Sequence, residues 1–301
     1  MATKQRSRAR RNHDSRDRGP RYVAPVLDPN WQNPYSPSVD ERLHNQRVVR
    51  RFAVRRRLPW ALAVAVVVVA LVVLGIVVSP WLIIVAVVFA AAFGYLGHRE
   101  LARYTDRGRS LGASMLEAFQ PGGDATERLR LVTVLDRLAA TFGVDNVSAF
   151  VVSDQGYNAA LVPDGANYSL FVTTSIMQDF ELIELEGVVA HCLARQRLGL
   201  VERESLASIV SLSDEARRAL AGVGKTYRAD EVAAASIRYP LGLAGALRKC
   251  ARQHVPADSF FSSSTYAQCR WVFFDQWSER TQSDVSDLDD VELRARALEE
   301  W

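Results

Sequence analysis

Two long apolar runs, set almost end to end, constrain this chain more than anything else in it. Leu58 to Val78 contains no charged residue. At a rise of 1.5 Å per residue a helix of that length spans roughly 30 Å, the thickness of a bilayer's hydrocarbon core. Ser79-Pro80 interrupts it, and Trp81 to Gly97 is a second uncharged apolar run. Spans joined by so short a break predict an antiparallel helical hairpin. Trp60 and Trp81 sit at run ends, where amphipathic rings meet the membrane–water interface. A cleaved signal peptide fits poorly: the basic segment ahead is too long, no small-x-small site precedes Pro80, and a second apolar run follows at once. A buried core hairpin is the other alternative, but the runs are too uniformly apolar for a helix with a solvated face.

Charge splits at the same place. Residues 1–57 carry 15 Arg and Lys against 5 Asp and Glu, and the remainder carries 22 against 29. Residues 1–57 therefore read as a disordered Arg-rich cytoplasmic tail, too poor in core-forming side chains to offset chain entropy. Arg50, Arg51, Arg55, Arg56 and Arg57 precede the first run, and His98, Arg99 and Arg103 follow the second. The positive-inside rule then places both termini in the cytoplasm of a two-pass protein. All but three of the 37 basic residues are Arg, which with abundant Ala and Val suggests a bacterial coding bias and hence the bacterial plasma membrane. The tail suits anionic lipid. It lacks interleaved aromatics, and no nucleic-acid motif or phosphate-binding Gly-rich loop accompanies it, so specific nucleic-acid binding is not expected. Cys192, Cys250 and Cys269 are odd in number and show no C-x-x-C spacing, which fits a reducing compartment.

The expected organisation is a tail (1–57), a hairpin (58–97), a linker or helix (98–124) and a cytoplasmic domain (125–301). The class is α+β, mainly helical with a small β-sheet. Asp124-x-x-Glu127 predicts a capping box opening a helix, with Gly143 as its C-cap. Val147–Ser153 and Ser169–Thr174 read as strands. Asp179 is a candidate cap for the helix that bears His191. Residues 200–221 read as helical, and Ala229–Gln253 as one long helix kinked at Pro240.

The stretch Glu186-Gly187-Val188-Val189-Ala190-His191-Cys192-Leu193-Ala194-Arg195 carries the chemistry. A zinc-peptidase helix presents His-Glu-x-x-His, with two His ligands one turn apart and the Glu as general base. Here His191 keeps the first position, Cys192 occupies that of the base and Arg195 that of the second His. A guanidinium offers no lone pair to a metal. Flanking segments strengthen the likeness: Asn158-Ala159-Ala160, Ser169 to Met177, Glu184-Leu185-Glu186-Gly187, Tyr227-Arg228-Ala229-Asp230-Glu231, Tyr239 to Lys249, and Glu292 to Leu298. Together, over about residues 125–298, these resemble the membrane-anchored HtpX-type and CAAX-prenyl-protease-type zinc metallopeptidases. The resemblance implies a metallopeptidase-like domain. It places Arg228 at the third ligand position and makes Ser169, Phe171, Thr173 and Ser175 part of an edge strand that pairs with peptide substrates. The polar stretch Gln196–Lys225 departs from HtpX-type members, which carry further membrane spans there.

With two ligands and the base replaced, no metal or other cofactor is expected and no residue is catalytic. His191 reads as a hydrogen-bonded core histidine, and Cys192 as neither a zinc ligand nor a nucleophile. Arg195 and Arg228 would both enter the former zinc site and call for carboxylate partners, for which Glu186, Asp230 and Glu231 are candidates. The function so implied is that of a pseudopeptidase binding an unidentified protein or peptide at the inner face of the membrane. The alternatives are an active zinc endopeptidase using substitute ligands (His254, Asp230, Glu231) and a tail-driven membrane tether.

Overall fold

A computed structural model describes residues 35–210, 213–222, 224–276 and 290–301. Helix α1 (Val39–Val77) opens on a capping box, Ser38 accepting from the Glu41 amide at 3.1 Å and Glu41 from the Ser38 amide at 3.0 Å. It runs on through Pro59 without ending. After the break at Ser79-Pro80, α2 (Trp81–Arg109) returns alongside it. Both helices are long and apolar enough to cross a membrane, and only 6% of the apolar window of each is buried. That exposure separates them from the core helices of a soluble domain.

One expectation about this region changes. Residues 39–57 are helical rather than part of an unfolded tail; residues 1–34 lie outside the described residues. The reason is a stripe at helical spacing that the tail's average composition hides. Asn45, Val48, Val49 and Phe52 face the domain, where Asn45 is buried and the three apolar residues pack on Leu206, Val210, Leu220 and Trp271. Helix α2 continues well past Gly97, into the segment expected as a linker or helix.

The domain begins with α3 (Leu111–Ala118) and α4 (Ala125–Phe142). Helix α4 carries the expected capping box at Asp124 and Glu127, and Gly143 ends it at φ 59°. Three strands follow: β1 (Val147–Val152), β2 (Ala159–Asp164) and β3 (Asn167–Thr173). Their order is β1-β3-β2, with β1 parallel and β2 antiparallel to β3. Strand β3 is thus the centre of the sheet, not an edge. Its flanks are both taken, Phe171 pairing with Phe150 on one side and Ala160 on the other.

Helices α5 (Thr174–Asp179) and α6 (Leu182–Arg197) come next. Glu181, not Asp179, caps α6 through a capping box with Glu184. Then follow α7 (Val201–Ile209), α8 (Asp214–Ala221), α9 (Lys225–Ile237) and α10 (Pro240–Arg252). The single kinked helix expected over 229–253 is two helices. Arg238 turns left-handed at φ 57°, and Pro240 starts α10 at its first position, where its missing N–H leaves no helical bond unmade. Helix α11 (Ser264–Cys269) and α12 (Val291–Glu299) complete the domain, with single 3-10 turns at Phe260–Ser262 and Arg270–Val272.

The sheet is covered on both faces. Leu161, Leu170 and Val172 join the main core formed by α4, α6, α9, α10 and α12, with Leu185, Val189, Val232 and Leu247 at its centre. Ala160, Val162 and Phe171 belong to a second cluster with Met115, Phe119, Phe261 and Phe273. Helix α6 approaches α10 so closely at Gly187 that a Cβ there would meet the Leu243 backbone at 2.8 Å. The helix bearing His191 is therefore the most enclosed in the domain, with every residue from Gly187 to Gln196 buried.

Candidate functional site

His191 lies in the middle of α6 and is fully buried. Its Nδ1 stands 2.7 Å from Asp230 Oδ1 on α9. Asp230 is also held by Arg294 of α12, whose Nε donates to Oδ2 at 2.7 Å and whose terminal nitrogen donates to Oδ1 at 2.9 Å. Arg294 further donates to the Phe274 carbonyl at 3.1 Å and lies over the Phe274 ring, which meets the His191 ring edge-on. His191, Asp230 and Arg294 thus form one buried network drawn from three helices.

The protonation states follow from the surroundings. Burial alone would raise the Asp230 pKa, but the charge of Arg294, with His191 and their hydrogen bonds, outweighs it and holds the carboxyl at about 2. Burial pushes His191 the other way, down to about 4, against the pull of Asp230. Asp230 is therefore a carboxylate and His191 a neutral imidazole at neutral pH. A carboxylate accepts only, so Nδ1 carries the proton, and the lone pair is left on Nε2, which has no partner among the described residues.

Arg195, one turn along α6 from His191, is buried but turned to a different group. Its Nε donates to Glu204 of α7 at 2.9 Å, and a terminal nitrogen makes a second bond to the same carboxylate oxygen. It also donates to the carbonyls of Val272 at 2.8 Å and Trp271 at 3.1 Å. Burial pushes the Glu204 carboxyl above its ordinary value, against the pull of Arg195.

Arg228 does not reach this interior. It bonds Glu41 at the start of α1 at 2.9 Å and Glu231 at 3.0 Å, with 23% of its side chain exposed. Arg195 and Arg228 therefore share no pocket. Of the three candidate carboxylates, Glu231 pairs with Arg228, Asp230 with Arg294, and Glu186 with Arg137. The residue that α9 presents to His191 is Asp230. Two positions along a helix is a rotation of about 200°, which turns residue 228 away. The position on the Asp230 face, one turn earlier, is the buried Thr226.

These residues do not fit a zinc ion. His191 Nε2 is a free donor atom, but the Asp230 oxygens are consumed by Arg294 and His191, and Arg195 supplies a cation beside it. Among the described residues, no three His, Cys, Asp or Glu side chains converge as a metal-holding group. Cys192 is fully buried, and burial, against the pull of Arg195, raises its thiol to about 12, far from a thiolate nucleophile at neutral pH.

The expected edge strand is not an edge. Ser169, Phe171 and Thr173 lie in the central strand β3, and Ser175 lies in α5, donating to the Gly156 carbonyl at 2.8 Å. The outer side of β1 is paired only near its end, where Pro121 bridges Val152. Along Val147–Phe150 no strand covers it among the described residues.

Sequence reasoning missed Arg294 and Glu204. Arg294 had a readable signal. Val291, Arg294, Ala295 and Leu298 follow an i, i+3, i+4, i+7 stripe, so a charged residue stands on the face that faces the core. No protein-family model matches the chain, and no curated protein matches it either.

Proposed function

We propose that this chain is a membrane-anchored pseudopeptidase, a metallopeptidase-like domain held at the inner face of a bacterial plasma membrane that acts by binding protein or peptide rather than by hydrolysis. In this reading α1 and α2 form a two-pass hairpin with both termini cytoplasmic. One observation carries it: where a zinc peptidase would gather ligands and a base, this domain closes two charge-balanced buried networks, His191–Asp230–Arg294 and Arg195–Glu204. Among the described residues, the one fully buried side-chain atom of these networks without a partner is His191 Nε2. Such networks hold helices in register and tie both carboxylates, Asp230 and Glu204, into ion pairs with arginine. Central β3 is not part of the proposal. The short outer edge of β1 over Val147–Phe150 is the surface suited to strand addition by an extended peptide.

The test is elemental and enzymatic analysis of the detergent-purified full chain after dialysis against micromolar zinc. The expected result is zinc well below one atom per chain and no hydrolysis of unfolded casein. About one zinc per chain that is lost in His191→Ala, accompanied by proteolysis, would replace this reading with the active endopeptidase.

A further inference from the structure

The two long helices form a wedge. At the turn between them, Gly75 lies so close to Ile83 that a Cβ would come within 2.6 Å of its side chain. Toward the domain they part around a cavity of about 1060 Å³. On the side nearer the turn its walls are apolar and come from both candidate spans: Val64, Ala65 and Val68 of α1, and Ala90, Phe93 and Gly94 of α2. A Cβ added at Gly94 would meet nothing from the rest of the chain within 4 Å. Ala65 and Gly94 are exposed, so the cavity opens sideways at this level. At the opposite end Pro163 of β2 and Leu206 of α7 close it against the domain.

The shape and chemistry of these walls select the occupant. Apolar side chains offer water no partners, and apolar cavities stay dry. A partner's helix is too thick. Along α1 the described lining runs from Gln46 to Val68, roughly 33 Å at 1.5 Å per residue. Spread over that length, about 1060 Å³ gives a mean section of roughly 32 Å². A helix with its side chains is about 10–12 Å across and needs roughly 80–110 Å². A spanning helix seated here would also run into Pro163 and Leu206. An unbranched hydrocarbon chain has neither difficulty, since it is slender and can end inside the slot.

We infer that this cavity holds the hydrocarbon chain of one bilayer lipid, taken in from the side and gripped by its chain rather than by its headgroup. The chain lies along Val64, Val68 and Phe93, in the space that Ala65, Ala90 and Gly94 leave between the helices. Spanning helices associate through packing contacts, because lipid tails are as apolar as the helices themselves. An empty slot forfeits those contacts, and a chain inside it restores them. The lipid therefore completes the packing of α1 against α2 at the end that carries the domain. Selection falls on the width of the chain, and the charge of the headgroup is immaterial.

The inference rests on the membrane placement proposed above and is independent of the absence of catalysis. The full chain is reconstituted in two sets of nanodiscs. One holds equal amounts of straight-chain and methyl-branched phosphatidylcholine (dioleoyl and diphytanoyl); the other holds equal amounts of dioleoyl phosphatidylcholine and dioleoyl phosphatidylglycerol. After release into mild detergent, the retained lipid is identified by native mass spectrometry. Expected is a single retained lipid, straight-chain favoured over branched by roughly tenfold, the scale on which an apolar pocket resolves a methyl group. The two headgroups are retained about equally. Ala65→Phe fills the slot and lowers retention of every lipid. Leu62→Phe enlarges an exposed residue outside the cavity lining and leaves retention unchanged. A choice made by headgroup and indifferent to branching overturns the inference, as does retention unchanged in Ala65→Phe. If Ala65→Phe does not fold, the comparison of straight and branched chains on the parent decides. A parent chain that enters nanodiscs but keeps no lipid overturns this inference alone. One that does not enter them overturns the membrane placement itself.

Discussion

Arg294→Met is the sharpest perturbation of the buried network. The substitution keeps much of the aliphatic stem but removes two bonds to Asp230, one to the Phe274 carbonyl and a cation over the Phe274 ring. Asp230 is then a buried carboxylate whose only remaining partner in the network is a neutral imidazole. Breaking one partner out of a buried ion pair costs about 3–5 kcal/mol. For a domain of this size, each kcal/mol moves the midpoint by roughly 2–4 °C, so the melting temperature should fall by on the order of 10 °C at pH 7.5.

The variant also carries a pH signature that a simple packing defect lacks. In the parent chain His191 titrates at about 4 when folded, against 6.5 for its ordinary value. The unfolded chain therefore binds more protons between those values, and stability falls as pH drops from about 6.5 toward 4, by about 3 kcal/mol at most. Asp230, held at about 2, adds its own loss below that window. Arg294 is one of the charges that keep His191 deprotonated. Without it, the imidazole beside an uncompensated carboxylate takes up a proton more readily, so acid restores a charge balance in Arg294→Met while it destabilises the parent. The gap between the two should narrow from pH 7.5 to pH 5. His191→Asn, which can keep a donor toward Asp230 but cannot titrate, should flatten the parent's slope in the same window. The assay is thermal unfolding of the detergent-solubilised full chain, followed by tryptophan fluorescence. A loss below about 1 kcal/mol, or a gap that is the same at both pH values, would refute the network as described.

Two further outcomes follow from the same interior. Cys192 should resist iodoacetamide in the folded chain at pH 7.5 and react in denaturant, read by mass spectrometry of the tryptic peptide; rapid alkylation in the folded state would mean an accessible thiolate. Arg195→Met should cost about 3–5 kcal/mol by stranding Glu204, and adding Glu204→Leu should recover most of it, because an apolar pair of similar volume replaces a buried ion pair at little cost; equal losses in the single and double variants would show that Arg195 acts through the Val272 and Trp271 carbonyls instead.

The two long helices were legible because their uncharged apolar runs are long and break only at Ser79-Pro80. The caps at Asp124 and Gly143 were legible because they are local. What failed was non-local. The stripe through Asn45, Val49 and Phe52 reads as tail until α7 and α8 supply the surface it packs on. Strand β2 contains Pro163 and little alternation, since Ala159 to Pro163 is buried throughout, so nothing in the sequence set a second neighbour against the edge strand that the resemblance implied for β3.

The polar interior shows most plainly where sequence reasoning stops. His191, Cys192 and Arg195 were singled out from the sequence, but a motif fixes spacing along one helix and says nothing about what faces it. The facing residue depends on the register of α9, and a reading that takes Arg228 instead of Asp230 errs by only two positions. On a helix that is about 200°, enough to exchange a solvent-side Arg bonded to Glu41 for the carboxylate that holds His191. The partner that makes Asp230 an anion, Arg294, lies 64 residues further on. That third helix sets this pair apart, because the same His–Asp pair without a guanidinium across both carboxylate oxygens would resemble the carboxylate-oriented histidine of a metal site.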